Sequence, residues 1–180
     1  MKKRVLCLLF TGFEEIETIA PVDLLRRAGV EVVVASLTGD KLVTGRCNVT
    51  VQADAALADV AEQEFDLLLI PGGPGIKAVR EDGRAARLAQ KYSQAGKPVA
   101  AICAAPTVLK DAGLLAGKRF TSHAGVLPEL PESQIQERVL EDGNLITSRG
   151  AATSVDFGLA LVRRLCGPEK TKEVEKGIMA

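Results

Sequence analysis

Short runs that are apolar at every position alternate along this chain with longer helical stretches. That alternation narrows the possible folds more than any other feature. Val5-Leu6-Cys7-Leu8-Leu9-Phe10 is such a run, and strands are expected again over Asp66 to Ile70 and Pro98-Val99-Ala100-Ala101-Ile102. A strand without polar alternation has both faces covered, the usual condition inside a parallel sheet. Between these runs lie helices. Glu14 to Ala28 carries its acids at the front and Arg26-Arg27 at the back, both favourable for the helix dipole, and Gly29 stops it. Further helices are expected over roughly Gly83 to Ala95, from Pro106 to about Ala112, over Thr153 to Cys166 and over Glu169 to Lys176. Val30-Glu31-Val32-Val33-Val34-Ala35 reads as the second strand. Leu42-Val43 and Val49-Thr50-Val51 read as a hairpin-like excursion, Arg119-Phe120-Thr121-Ser122 as a strand end, and Val139 to Thr147 as a hairpin turning at Asp142-Gly143. The reading is an α/β fold, one domain over 1–180, with a mostly parallel sheet between helices on both faces.

Composition removes several classes of function. Lys+Arg and Asp+Glu are 23 each, so the formal net charge is zero and no overall field draws in nucleic acid or an anionic membrane. Aromatic residues are 3% with no Trp, which disfavours base-stacking platforms. The longest apolar run is far shorter than the roughly 18 residues of a membrane span. The run after Met1-Lys2-Lys3-Arg4 is also short for a secretory signal. The four cysteines, at 7, 47, 103 and 166, have no paired CxxC spacing and suggest neither a zinc site nor a secreted disulfide framework. A cytoplasmic protein with reduced thiols, needing no metal to fold, is expected.

Ligands of open parallel sheets sit at the carboxyl ends of the strands. That rule selects the loop after Phe10, the loop after Ile70 and the turn after Ile102. The third, Ala101-Ile102-Cys103-Ala104-Ala105-Pro106, places a potential nucleophile between a strand and a helix, among residues small enough for a tight turn. A helix N-terminus there would stabilise a thiolate and lower its pKa. Cys7 and Cys166 lie inside apolar runs and read as core, while Cys47 reads as an exposed thiol in a turn. His123, the only histidine, is either a general base for thiol chemistry or a hydrogen-bonded structural residue. Of Glu14, Glu15 and Glu17, two are expected to cap the helix or face solvent. One could point at the strand ends, where burial would raise its pKa. Pro71-Gly72-Gly73-Pro74-Gly75 lacks the Lys-Ser/Thr of a phosphate loop; its N–H groups could form an oxyanion hole, or it is a plain tight turn.

Five blocks taken in order resemble the ThiJ/PfpI superfamily, within it the DJ-one/YajL-like branch. They are Gly12-Phe13-Glu14-Glu15-Ile16-Glu17, Pro71-Gly72-Gly73, Ala100 to Pro106, His123, and Thr147-Ser148-Arg149-Gly150. The resemblance spans almost the whole chain. It implies a flavodoxin-like three-layer sandwich and a homodimer. It also implies a reactive, oxidisable Cys103 and a protonated Glu17 that hydrogen-bonds the thiolate. His123 would lie near the cysteine, with an oxyanion pocket from Gly72, Gly73 and Ala104. Asp23, Arg26 and Arg46 match residues that in the family lie near the site and the dimer contact. The activities implied are cofactor-free: a glyoxalase that converts methylglyoxal to lactate, or deglycation of early methylglyoxal adducts on proteins or nucleotides. A redox-sensing or chaperone role is the alternative. A cysteine peptidase is a third reading, disfavoured because Ala104, not His, follows the nucleophile. The elbow reads Cys-Ala-Ala-Pro where the family often has Cys-Ala-Gly-Pro. Ala151-Ala152 stand where Pro-Gly is common, which bears on the pocket lining.

Overall fold

The computed structural model describes residues 2–180. The strand runs that lack polar alternation form the middle of a seven-stranded sheet. β1 (Arg4–Leu9) pairs in parallel with β2 (Glu31–Ser36) on one side and with β6 (Leu67–Ile70) on the other. Next come β7 (Val99–Ile102) and β9 (Leu145–Ser148), both parallel, and then β8 (Val139–Asp142), the one antiparallel edge. A two-residue strand, β5 (Ala55–Ala56), borders β2. The order is β5-β2-β1-β6-β7-β9-β8. Every residue of β6 and β7, and Val5 to Leu9 of β1, is fully buried, so their apolar composition is what two covered faces require. β3 (Leu42–Thr44) and β4 (Thr50–Gln52) form a separate antiparallel arm, as the hairpin-like pattern suggested.

α1 (Glu15–Arg27) and α6 (Ser154–Cys166) pack on each other over one face, and α7 (Pro168–Ile178) packs on α6. α3 (Ile76–Asp82), α4 (Arg84–Gln94) and α5 (Pro106–Asp111) form the other layer, and α2 (Leu57–Val60) lies against β2 and β5. The chain leaves β1 in one direction to β2 and returns on its other side at β6. The crevice at the carboxyl ends of β1 and β6 is therefore the point where the winding reverses. Among the described residues no helix is long and apolar enough to cross a membrane.

The structure differs from the sequence reading at four places. The helix expected over Gly83 to Ala95 is preceded by another. Gly83, at φ 75°, closes α3 and opens α4, so a glycine that reads as a helix start is also a helix stop. β5 and α2 are too short for any periodicity to reveal. Arg119 to Ser122 belongs to no strand. Its backbone is held by irregular bonds instead: Thr121 N–H donates to Thr147 Oγ1 at 3.0 Å, and Gln134 N–H to the Phe120 carbonyl at 2.9 Å. The hairpin turns at Gly143-Asn144, not at Asp142-Gly143, because Asp142 pairs with Leu145. The Asp142 carboxylate instead accepts from Arg119 N–H at 2.9 Å.

Gly158 sets how closely α6 approaches α1. A Cβ there would lie 2.6 Å from Leu24 Cδ1 and 3.0 Å from Pro21 Cα. Gly158→Val is expected to cost about 1–3 kcal/mol by overpacking this contact. Gly177→Ala, on α7 with nothing within 4 Å of the added Cβ, should gain up to about 1 kcal/mol from lost unfolded-state freedom. Urea unfolding of the two variants checks the pair, and equal effects would refute the packing argument.

Candidate functional site

Cys103 follows β7 directly and has φ 65°, a left-handed conformation that non-glycine residues seldom adopt. Such strain persists only where the surroundings overdetermine it. Here they do. Cys103 N–H donates to the Ser148 carbonyl, and the Cys103 carbonyl accepts from His123 N–H, both at 2.8 Å. Ala105 N–H then closes a tight turn on the Ile102 carbonyl at 3.0 Å, and Pro106 opens α5. The side chain is thereby presented at the sheet's carboxyl edge, partly buried.

Glu17 approaches from the first turn of α1 and is 1% exposed. The three acids of this helix start have three different tasks. Glu14 caps the helix, accepting from Glu17 N–H at 2.8 Å. Glu15 turns outward to the β3–β4 arm and accepts from Cys47 N–H at 2.7 Å. Glu17 points inward, where its Oε2 accepts from Gly72 N–H at 3.0 Å. The loop after β6 is bound to the same helix start, because Glu14 N–H donates to the Gly72 carbonyl at 3.0 Å. Gly72 passes between acid and thiol. A Cβ on it would lie 2.6 Å from Glu17 Oε2 and 2.7 Å from Cys103 Cβ, so only glycine lets the two side chains meet. Gly73 adopts φ 111° against the loop after β1.

The carboxyl of Glu17 lies against the thiol of Cys103, and each biases the other's protonation. Burial pushes Glu17 up to about 7, helped by the charge of Glu14 and opposed by Cys103, Gly72 N–H and Arg46. Burial also pushes the Cys103 thiol up to about 12, and the Glu17 carboxylate adds to the rise. The N–H groups of Ala104 and Gly73 bear on the sulfur and favour the thiolate. The simple lowering of the thiol pKa expected from a helix start is therefore overturned while Glu17 is ionised. The repulsive charge is removable, however. When Glu17 holds the proton, the sulfur faces a donor in place of an anion, and burial alone opposes the thiolate.

Five expected site residues are therefore brought together: Cys103, Glu17, Gly72, Gly73 and Ala104. Arg46, exposed on the β3–β4 turn, is near enough for its charge to act on Glu17. His123 reaches the site through its backbone. Its ring Nδ1 accepts from Gly125 N–H at 3.0 Å. A neutral ring so bound carries its proton on Nε2 and offers a donor, so the general-base reading is corrected. Asp23 and Arg26 are not at the thiol. Asp23 pairs with Arg27 at 2.7 Å, and Arg26 pairs with Asp54 at 2.8 Å. Arg26 stands nine residues beyond Glu17, about 13 Å along the helix. Ser148 is the residue that sequence reasoning left without a role. Its carbonyl holds Cys103, and its hydroxyl, 2.6 Å from Thr153 Oγ1, ties β9 to the next turn. Cys7 is buried, its thiol pushed up to about 12 by burial, and Cys47 is exposed, both as expected.

Because Glu17 titrates near 7 when folded against an ordinary value of 4.5, the folded state binds this proton more tightly than the unfolded state. Below about 4.5 both states hold the proton and nothing is lost. Above about 7 both are ionised, and folding carries a cost of about 3 kcal/mol. Glu17→Gln is expected to stabilise the fold progressively as pH rises through this window, by up to about 3 kcal/mol relative to its effect at pH 4. Urea midpoints at pH 4 and pH 8 check this; a pH-independent difference would show that Glu17 is not held in its neutral form.

Comparison with known proteins finds relatives over nearly the whole chain. The profile described as DJ-1/PfpI family matches residues 3–164. The protein dj-1beta of Drosophila melanogaster is 42% identical over 183 residues, covering 99% of this chain and 98% of that one. Its crystal structure superposes with a TM-score of 0.93 over 100% of this chain and 99% of that one, at 40% identity. A deglycase of Pyrococcus abyssi is 39% identical over 149 residues, covering 81% and 89% of the two chains. The structure of oxidized Toxoplasma gondii DJ-1 matches with a TM-score of 0.92 and 30% identity, over 98% of each chain.

Proposed function

This chain belongs to the DJ-1/PfpI family, and from that premise we propose that it is a cysteine-dependent, cofactor-free glyoxalase and deglycase acting on methylglyoxal and its early adducts. The observation that carries the reading is the meeting of one strained, partly exposed cysteine with one buried carboxyl that titrates near 7. A group with that pKa is suited to both giving and taking a proton at neutral pH. The similarity to a protein named a deglycase supports the same reading.

In the proposed reaction the Cys103 thiolate attacks the aldehyde carbon of methylglyoxal. The C=O π pair moves to oxygen and gives a hemithioacetal alkoxide beside the sulfur, where the N–H groups of Gly73 and Ala104 are the nearest donors. Glu17, which holds its proton while the thiolate forms, gives it to this alkoxide. As carboxylate it then removes the proton from the former aldehyde carbon to give an enediolate, whose hydroxyl proton passes to the adjacent oxygen as Glu17 returns the carbon-bound proton to the neighbouring carbon. The product is a lactoyl thioester. Water adds to it, the C–S bond breaks, and lactate and the thiolate are released. No electrons enter or leave, since one carbon is oxidised as its neighbour is reduced. Glu17 serves better than His123 in the proton transfer because the histidine Nδ1 lone pair is already engaged.

A second reading is favoured by one observation. A sulfur that faces a neutral carboxyl and two N–H donors can also hold a sulfinate, so oxidant sensing is consistent with the same site. The similarity to a DJ-1 structure described as oxidized supports it. Both readings place the chain in a reducing compartment such as the cytoplasm, where its four unpaired cysteines persist.

Incubation with methylglyoxal should yield lactate catalytically, and Cys103→Ser should abolish it while leaving the unfolding midpoint nearly unchanged. Lactate production that survives the substitution would overturn the assignment. No lactate from a protein whose Cys103 still oxidises readily would favour the sensor. The proposal extends to a homodimer. Ile16 and Ile19 on α1, with Leu42 and Val49 on the β3–β4 arm, are exposed apolar side chains close to the site. Sedimentation equilibrium should report twice the chain mass of 19.0 kDa, and Ile19→Glu should shift it toward a single chain.

A further inference from the structure

His123 and Arg149 border a pocket of about 340 Å³ whose walls include Ile135, Ala151 and Ala152. It lies beside the turn that carries Cys103. His123 N–H is bonded to the Cys103 carbonyl, and Cys103 N–H to the carbonyl of Ser148, the residue before Arg149. The polar groups around it are unequally engaged. The Ser122 hydroxyl donates to Ser133 Oγ at 2.7 Å, and the Thr153 hydroxyl to the Gly150 carbonyl at 2.8 Å. Arg149 Nη1 donates to the carbonyls of Ile135 and Gln136 at 3.2 and 3.1 Å, which fixes the guanidinium in place. Its Nε and Nη2 meet no protein acceptor, and no carboxylate pairs with it, among the described residues. Asp156, the acid on the adjoining helix, is taken by Arg138. His123 adds a second donor, because Gly125 N–H occupies Nδ1 and leaves the proton on Nε2.

The unused groups are therefore N–H donors, one of them permanently charged, set among apolar walls. That combination suits a planar oxyanion at the end of a short carbon chain. A volume of this size admits a small organic acid. We propose that Arg149 and His123 form a carboxylate subsite beside Cys103. It would select 2-oxoaldehydes and adducts that carry a carboxylate over neutral methylglyoxal. The inference rests on Cys103 being the reacting group of the proposed function, but not on turnover.

The test compares alkylation of Cys103 by iodoacetate, an anion, with alkylation by neutral iodoacetamide. Rates are read by mass spectrometry of the Cys103 peptide and referred to 2-mercaptoethanol. The iodoacetate-to-iodoacetamide ratio should exceed that of 2-mercaptoethanol by about tenfold or more, the worth of one charge-assisted hydrogen bond. It should fall by a similar factor in Arg149→Gln and persist in Arg149→Lys. Arg149 also braces the 135–136 backbone, so one arm uses the unaltered protein. There, glutarate should slow the iodoacetamide reaction saturably, and neutral glutaramide should not. A ratio equal to that of 2-mercaptoethanol, an unchanged ratio in Arg149→Gln, or absence of glutarate protection would overturn the subsite. Absence of lactate from methylglyoxal would count against the glyoxalase reading and leave this ratio untouched.

Discussion

The carboxyl of Glu17 is the point on which the site's three parts converge. It belongs to α1, it accepts from the loop after β6 through Gly72 N–H, and it lies against Cys103 at the end of β7. A buried acid of this kind is unfavourable by itself, because burial penalises its charged form. The fold accommodates it with a proton near neutral pH and with one backbone donor. Around it, Glu14 caps the helix and Glu14 N–H holds Gly72, so the loop cannot move without breaking its bonds to the helix start. The requirement that residue 72 be glycine follows from the same contact. Any Cβ would part the acid from the thiol.

The sheet supplies the other half of the arrangement. Its winding reverses between β1 and β6, so the loops after these strands open a crevice that helix crossovers leave uncovered. β7 is the next strand along. A side chain leaving its end would ordinarily continue the pleat. The left-handed φ of Cys103 redirects it, and the bonds to Ser148 and His123 hold that redirection. Those partners come from β9 and from the irregular segment after Arg119, both distant in sequence. The geometry of Cys103 is thus a property of tertiary structure, although its position can be read locally.

This difference explains what could be read from residues and what could not. Val5 to Leu9 and Leu67 to Ile70 announce buried parallel strands because burial of both faces leaves one composition available. Cys103 stands out because small residues and a proline surround it. Glu17 could be narrowed only to one of three acids. Helical spacing separates their directions, but cap formation by Glu14 and the reach of Glu15 to Cys47 depend on partners elsewhere. α3 escaped because Gly83 serves two helices and the sequence shows one glycine. The supporting or dimer-contact role of Arg26 and Asp23 rests on family resemblance, and within this chain both are engaged in ion pairs. Arg26 pairs with Asp54 more than two helical turns beyond Glu17, and Asp23 pairs with Arg27 on the solvent side. His123 could not be assigned a role from its identity, because the decisive fact is which ring nitrogen Gly125 occupies.

Aldehyde conversion and oxidant sensing ask for the same local chemistry. Both place an oxygen next to the Cys103 sulfur, and in both that oxygen meets the N–H groups of Gly73 and Ala104 and the carboxyl of Glu17. A substitution among these residues therefore disturbs both together. What can separate them is access. Peroxide is small and uncharged and needs no subsite. A carbon skeleton with an anionic end must place that end somewhere, and a neutral chain offers no general field to attract it. Selection then falls to individual cations near the sulfur. Arg46 is exposed on a turn, where solvent weakens its field. Arg149 is held by two carbonyls and partly shielded, so its charge acts over a fixed geometry. In the proposed reaction, preference among aldehydes would thus be set by residues outside the reacting cluster, and it could change without altering the cysteine–carboxyl pair.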